Sequence, residues 1–171
     1  MRLDEILLER RERMLQYLQS LVPTWPDYVV KDWLYAAYAK GSAVKGSYYN
    51  FDNVKELIDM SLSHVGLDFN SQWKLVPNMK FTMDMWEPDT KESFIERAGG
   101  KLNPYHIPKD AERHATQSSI SKKAGGVSKE PVIMIKTSQG YQLLEGWHRT
   151  IQHFVNHPEG FVGPAYIAQG R

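Results

Sequence analysis

Residues 145–150 read Glu-Gly-Trp-His-Arg-Thr, so an acid, a glycine, an imidazole and a guanidinium fall within one short turn. They stand where an apolar run ending at Leu144 gives way to a helical pattern beginning at Trp147. A helix start leaves backbone N–H groups unpaired and positive. Glycine there lets a ligand come close to the backbone, and arginine adds a two-pronged fork for phosphate oxygens. His148 can donate a hydrogen bond or carry charge near neutral pH. Gly146, Trp147, His148, Arg149 and Thr150 are therefore candidate residues for a pocket that binds phosphate or another anion. Glu145 and His148 are the candidate catalytic residues, because a carboxylate beside a phosphate can deprotonate an attacking hydroxyl or position Mg²⁺. The competing reading is structural: Arg149 pairs with Glu145 or Glu130, and His148 only caps the turn.

Other groups could carry chemistry. Asp84 and Glu87, at the end of an expected strand, are second-choice bases. His153 and His157, four apart, could share a helical face and hold a metal, but no third ligand is evident and Pro158 ends the helix there. Arg113, Lys122 and Lys123, with Lys129, could follow a nucleic-acid backbone, or could form a solvated helix face. Trp147 could stack on a base or serve as a core or rim residue. The loop Lys40–Asn50, KGSAVKGSYYN, has glycines and two lysines but lacks the Walker spacing.

The bulk composition narrows the class. The chain has 171 residues, 42% hydrophobic and 24% charged, within the soluble range. It has no cysteine, which excludes disulfides, thiol nucleophiles and iron–sulfur ligation. No apolar run is long enough to span a bilayer, and the charged N-terminus lacks a secretory core, so a soluble, cytoplasmic protein with no membrane partner is expected. The net charge of +1 hides an asymmetry: residues 101–171 carry nine Lys/Arg against five Asp/Glu, and the rest twelve against fifteen. A basic C-terminal half suits an anionic ligand.

Two regions must position these residues. In the first, 1–70, Leu3, Ile6, Leu7, Met14, Leu15, Leu18 and Leu21 give a helical stripe that Pro23 and Pro26 end. A second helix follows with Asp27 as cap and Trp33, Tyr35 and Tyr38 expected in the core. A third, FDNVKELIDMSLSHVG, takes Asp52 or Asn53 as cap and Gly66 as stop. These helices are a candidate homodimer surface. In the second region, 71–171, the alternation of Phe81, Met83 and Met85 predicts a strand. TKESFIERAGG predicts a short helix with a glycine stop. LNPYHIPKD reads as extended, and DAERHATQSSISKKAGG as a helix. EPVIMIKT predicts a buried strand, SQG a turn, YQLLEG its return, WHRTIQHFVNHP a helix, and GPAYIAQGR a last strand.

The order of motifs carries a resemblance. Asn103-Pro104-Tyr105, Ser119-Ile120 with Gly125 and Gly126, Pro131-Val132-Ile133-Met134-Ile135 and Leu144-Glu145-Gly146-Trp147-His148-Arg149 follow one another as in the ParB/sulfiredoxin-like superfamily, which residues 79–171 resemble. The resemblance implies an α+β fold: a helical N-terminal region followed by a small ParB/sulfiredoxin-like mixed sheet with helices. It implies nucleotide phosphates bound at the Gly146–Arg149 turn, with ATP or another nucleotide and Mg²⁺ as cofactors. Kinases of the superfamily use a carboxylate as general base, and Glu145 stands where the family often has Asp. Trp147 replaces the sulfiredoxin cysteine, which removes that chemistry. No helix-turn-helix domain follows, so a CTP-switched clamp is not expected. The leading expectation is a nucleotide-dependent phosphotransferase acting on a hydroxyl of a small molecule or nucleic-acid base. The alternative is a non-catalytic ParB-like module that binds DNA or a partner and holds a nucleotide or anion.

Overall fold

The structure, a computed structural model, describes residues 2–40, 51–98 and 130–170. It is an α+β protein with a helical N-terminal part and a four-stranded mixed sheet. The chain divides into two compact units, Met1–Trp73 with Gln169–Arg171, and Lys74–Ala168. Asn103–Tyr105, Arg113, Ser119, Ile120, Lys122, Lys123, Gly125, Gly126 and Lys129 lie outside the described residues. So do the extended segment and helix expected around them, most of the 40–50 loop, and the glycine stop at 99–100.

The first unit is helical. Helix α1 spans Leu3–Leu21 and closes before Pro23. Its stripe divides: Met14, Leu15 and Leu18 are buried, Ile6, Leu7 and Leu21 are half-buried, and Leu3 is 70% exposed. Helix α2 starts as an α-turn, Asp27–Val29, and continues as a π-helix over Val30–Ala39, with the N–H of Lys40 bonding the carbonyl of Tyr35 five residues back. Asp27 is not the cap expected for it. Pro26 holds that position, and the Asp27 carboxylate accepts a bond from the Gln19 side chain at 3.3 Å. Trp33 and Tyr35 are buried as expected, and Tyr38 is half-buried. Trp25, Trp33 and Trp73 form a ring cluster with centroids 5.2–6.1 Å apart.

Helix α3 spans Phe51–Val65, with Asp52 and Asn53 as its second and third residues. Val54, Ile58 and Leu62, each four residues apart, form its buried stripe. Gly66 stops it as expected, at φ +80°. The N–H of Leu67 reaches back to the carbonyl of Leu62 at 2.8 Å and that of Gly66 to Ser63 at 3.1 Å, the double bond of a Schellman ending.

The sheet contains β1 (Trp73–Phe81), β2 (Val132–Thr137), β3 (Gly140–Glu145) and β4 (Phe161–Gln169), in the order β1-β4-β2-β3. Strand β1 is an edge, which tolerates Pro77 and leaves most of its residues exposed. The strand expected within QWKLVPNMKFTMDMWEPD forms over the first half of that stretch only. The ladder ends at Phe81, and Met83–Met85 form a 3₁₀ turn in which Thr82 Oγ1 donates to Asp84 Oδ1 at 2.5 Å. Met83 and Met85 pack half-buried on the core around Phe81, as the alternation expects, but Trp86, which the alternation sets on the opposite face with Thr82 and Asp84, is buried in the same core. Helix α4, Pro88–Arg97, follows with proline in its first turn. Strand β2 is interior, and its run Val132–Ile135 is wholly buried. Strands β2 and β3 pair antiparallel through a tight turn in which Thr137 Oγ1 donates to the Gly140 carbonyl at 2.7 Å. Helix α5, Trp147–Asn156, packs Ile151, Phe154 and Val155 into the same core as Phe94, Leu143 and Phe161.

Candidate functional site: the turn between β3 and α5

Strand β3 does not run evenly into the turn. Thr137 to Met134 pair in register with Gly140 to Leu143, but the next pair is Ile133 with Glu145, so Leu144 is an extra residue. Such a bulge bends the strand and re-aims the residues after it. Glu145 is half-buried at its end. Gly146 then adopts φ +102°, a left-handed conformation that favours glycine, and caps α5. A Cβ there would lie 2.8 Å from Val132 Cγ1 and 3.2 Å from Arg149 Nη2. The glycine thus serves close packing against β2 as well as the turn.

Helix α5 begins on Gly146 with no capping side chain and no acid in its first turn. Its first backbone bond is from the Thr150 N–H to the Gly146 carbonyl at 2.9 Å. The partial positive charge of this end is therefore not neutralised by a side chain of its own first turn. His148 is exposed on that turn.

Arg149 takes a different role from the one its type suggested. Its side chain is buried, and the fork grips the backbone entering β2: Nη1 donates to the Glu130 carbonyl at 2.6 Å and Nη2 to the Pro131 carbonyl at 3.3 Å. The Glu130 carboxylate stands 3.9 Å from Nη1. The sequence named Glu130 as an alternative partner for Arg149. It held no sign that backbone carbonyls would be the acceptors.

Trp147 is half-buried against α4. Its ring meets Phe94 edge-on at 5.3 Å, and the Arg97 guanidinium lies 4.2 Å over its centroid. It is a rim residue with a cation on its ring, and Arg97 had no signal in the sequence pointing to it. Thr150 is fully buried and its Oγ1 has no hydrogen-bond partner among the described residues. The same holds for both polar atoms of Gln152 and both ring nitrogens of His153.

His153 is 1% exposed and stacks on Phe161 at 4.7 Å. Burial, then the neighbouring His157 and Arg149, pushes its pKa down from 6.5 to about 4. It is a neutral core imidazole. His157 lies at the helix end with Nδ1 3.7 Å from Glu159. Among the described residues, no three of His, Asp and Glu converge as a metal site.

The second-choice bases are held elsewhere. Asp84 is exposed, and hydrogen bonds from the Thr82 hydroxyl and its own backbone hold its carboxyl below the usual range, which makes it a poor base. Glu87 stands at the N-cap position of α4 without a side-chain cap bond; its carboxylate accepts from Thr90 Oγ1 at 3.1 Å, while its N–H bonds the Tyr141 carbonyl of β3 at 2.8 Å. The candidate nucleic-acid residues Arg113, Lys122 and Lys123 fall in the undescribed segment. No described helix is long and apolar enough to cross a membrane. Compared with family models, with characterised proteins and with solved structures, the chain gives no match.

Proposed function

We propose that the β3–α5 turn binds the phosphates of ATP or another nucleotide, on a ParB/sulfiredoxin-like scaffold, and that the protein transfers a phosphoryl group to a hydroxyl. The observation that carries this reading is the start of α5: a left-handed glycine, no capping side chain, no acid in the first turn, and His148 exposed beside it. The N–H groups of that turn and His148 would hold the phosphates. Glu145, at the bulged end of β3, would take the proton of the acceptor hydroxyl as its oxygen bonds the phosphoryl group and the nucleoside diphosphate leaves. Arg149 would hold the turn against β2 rather than clamp the ligand. Mg²⁺ commonly binds through one or two carboxylates and the phosphates, and Glu145 is the acid nearest in sequence to do so. When bound, the ion would neutralise charge on the transferred group. The acceptor is a small molecule or a nucleic-acid base.

One observation favours the non-catalytic alternative, a module that binds a nucleotide or anion and DNA or a partner. The Arg149 fork is spent on backbone, which leaves fewer cationic groups to stabilise a transition state. Both readings are tested together by a thermal-shift and calorimetric panel of nucleotides with Mg²⁺. Nucleotide should raise the melting temperature of the wild type, and His148→Ala should reduce that rise while leaving the unliganded melting temperature unchanged. Glu145→Gln should keep binding and abolish phosphoryl transfer if the protein is an enzyme. No shift with any nucleotide would sink the reading.

A further inference from the structure

The charged first half of α1 leaves two leucines exposed. Leu3 and Leu8 are 70% and 53% exposed, whereas Met14 and Leu18 on the same helix are fully buried. Asp4, Leu7, Leu8 and Arg11 line one side of an open groove of about 590 Å³, and Lys31 and Tyr35 of α2 line the other. Arg11 lies over the Tyr35 ring at 5.8 Å, which keeps its guanidinium at the groove.

These four α1 residues are spaced at i, i+3, i+4 and i+7, so they share one helix face. Their order is acid, leucine, leucine, base. Turned by a two-fold axis between Leu7 and Leu8, that face is complementary to itself. We propose that α1 pairs antiparallel with α1 of a second copy, as a symmetric dimer. Asp4 then meets the partner's Arg11, Arg11 meets the partner's Asp4, and Leu7 meets the partner's Leu8. Just beside the face, Glu5 approaches the partner's Arg10.

The charge pattern of the α1 face itself fits this occupant. The α1 face carries one acid and one base at opposite ends, so two copies attract when antiparallel and repel when parallel. A two-fold dimer uses the same patch on both copies, which requires such self-complementarity. Glu9, which would otherwise face Ile6 across the axis, is already paired within its helix, accepting from Arg13 at 2.6 Å. The surface pair between Asp4 and Arg2, 3.5 Å apart with both side chains exposed, is weak enough to be exchanged. Antiparallel helices also align their dipoles favourably. The α2 segment that borders the groove would pack beside the incoming helix, giving a four-helix arrangement of α1 and α2 from each copy. This inference is independent of the nucleotide reading.

The test is sedimentation velocity over a concentration series through the micromolar range. The wild type should pass from monomer to dimer. Asp4→Arg and Arg11→Asp should each weaken dimerisation by about tenfold or more, since the symmetry makes every like-charge pair twice. The double variant Asp4→Arg/Arg11→Asp should recover to within about threefold of wild type, because the attraction is restored with its sign exchanged. Leu8→Ser, a change at an exposed position, should abolish the dimer with helical circular dichroism unchanged. A wild type that stays monomeric at every concentration overturns the proposal. So does a dimer that is indifferent to the single reversals, or a double variant no better than the singles.

Discussion

Arg149 Nη1 donates to the carbonyl of Glu130 at 2.6 Å, joining the first turn of α5 to the residue that leads into β2, nineteen positions earlier. A second bond, from Nη2 to the Pro131 carbonyl, completes the clamp. The most ligand-like side chain of the motif is thus the one that fixes the motif to the sheet. Its planar fork suits two neighbouring carbonyls, and its low exposure shields the charged bonds from water.

Removing that clamp should be a stability lesion first. Arg149→Ala is expected to lower the free energy of unfolding by about 1.5–3 kcal/mol, the range for hydrogen bonds to a charged group. Arg149→Lys should recover little, because one ammonium on a flexible stem cannot satisfy both carbonyls in the same plane. Urea titrations of the three proteins measure this. An Arg149→Ala protein as stable as wild type would mean the clamp contributes nothing.

His153 gives the fold a pH dependence of definite sign. Its folded pKa of about 4 lies below the ordinary 6.5, so the fold prefers the neutral ring. The group contributes fully above pH 6.5. As pH falls from 6.5 toward 4 the unfolded chain gains a proton that the folded one refuses, and stability drops. The loss should be on the order of 2–3 kcal/mol. His153→Phe keeps an aromatic ring against Phe161 and should flatten this part of the stability profile. Denaturant melts at a series of pH values read both slopes, and equal slopes would refute the assignment.

Gln152 is fully buried on α5, with neither its amide nitrogen nor its oxygen bonded among the described residues. An amide in that state costs about 1–3 kcal/mol relative to an apolar side chain of similar shape. Gln152→Leu should therefore raise the melting temperature. A fall instead would show that the amide is satisfied by a group outside the described residues.

Much of the architecture was legible from local pattern. The stop at Pro23, the Schellman ending at Gly66, the buried run Val132–Ile135, the tight turn before Tyr141 and the glycine start of α5 each arise from backbone chemistry within a few residues. Alternation at Phe81, Met83 and Met85 told that these three face inward but set the buried Trp86 on the other side, because a 3₁₀ turn brings both into one core, and the Thr82–Asp84 bond favours the turn. The π-winding of α2 is equally invisible, since apolar residues at helical spacing fit either ladder.

The residue types at 145–150 determined that a polar, glycine-started helix follows a strand, and the acid–leucine–leucine–base order of α1 is likewise written in the chain. Only the tertiary structure decided what those groups touch. The β2–β3 hairpin is local, but the packing of α5 brings Arg149 onto the backbone at Glu130 and Pro131, so a side chain of phosphate-binding type closes on two carbonyls. Local chemistry fixes which bonds a guanidinium can make. The folding of distant segments fixes which acceptors come within reach, and no pattern of nearest neighbours encodes that.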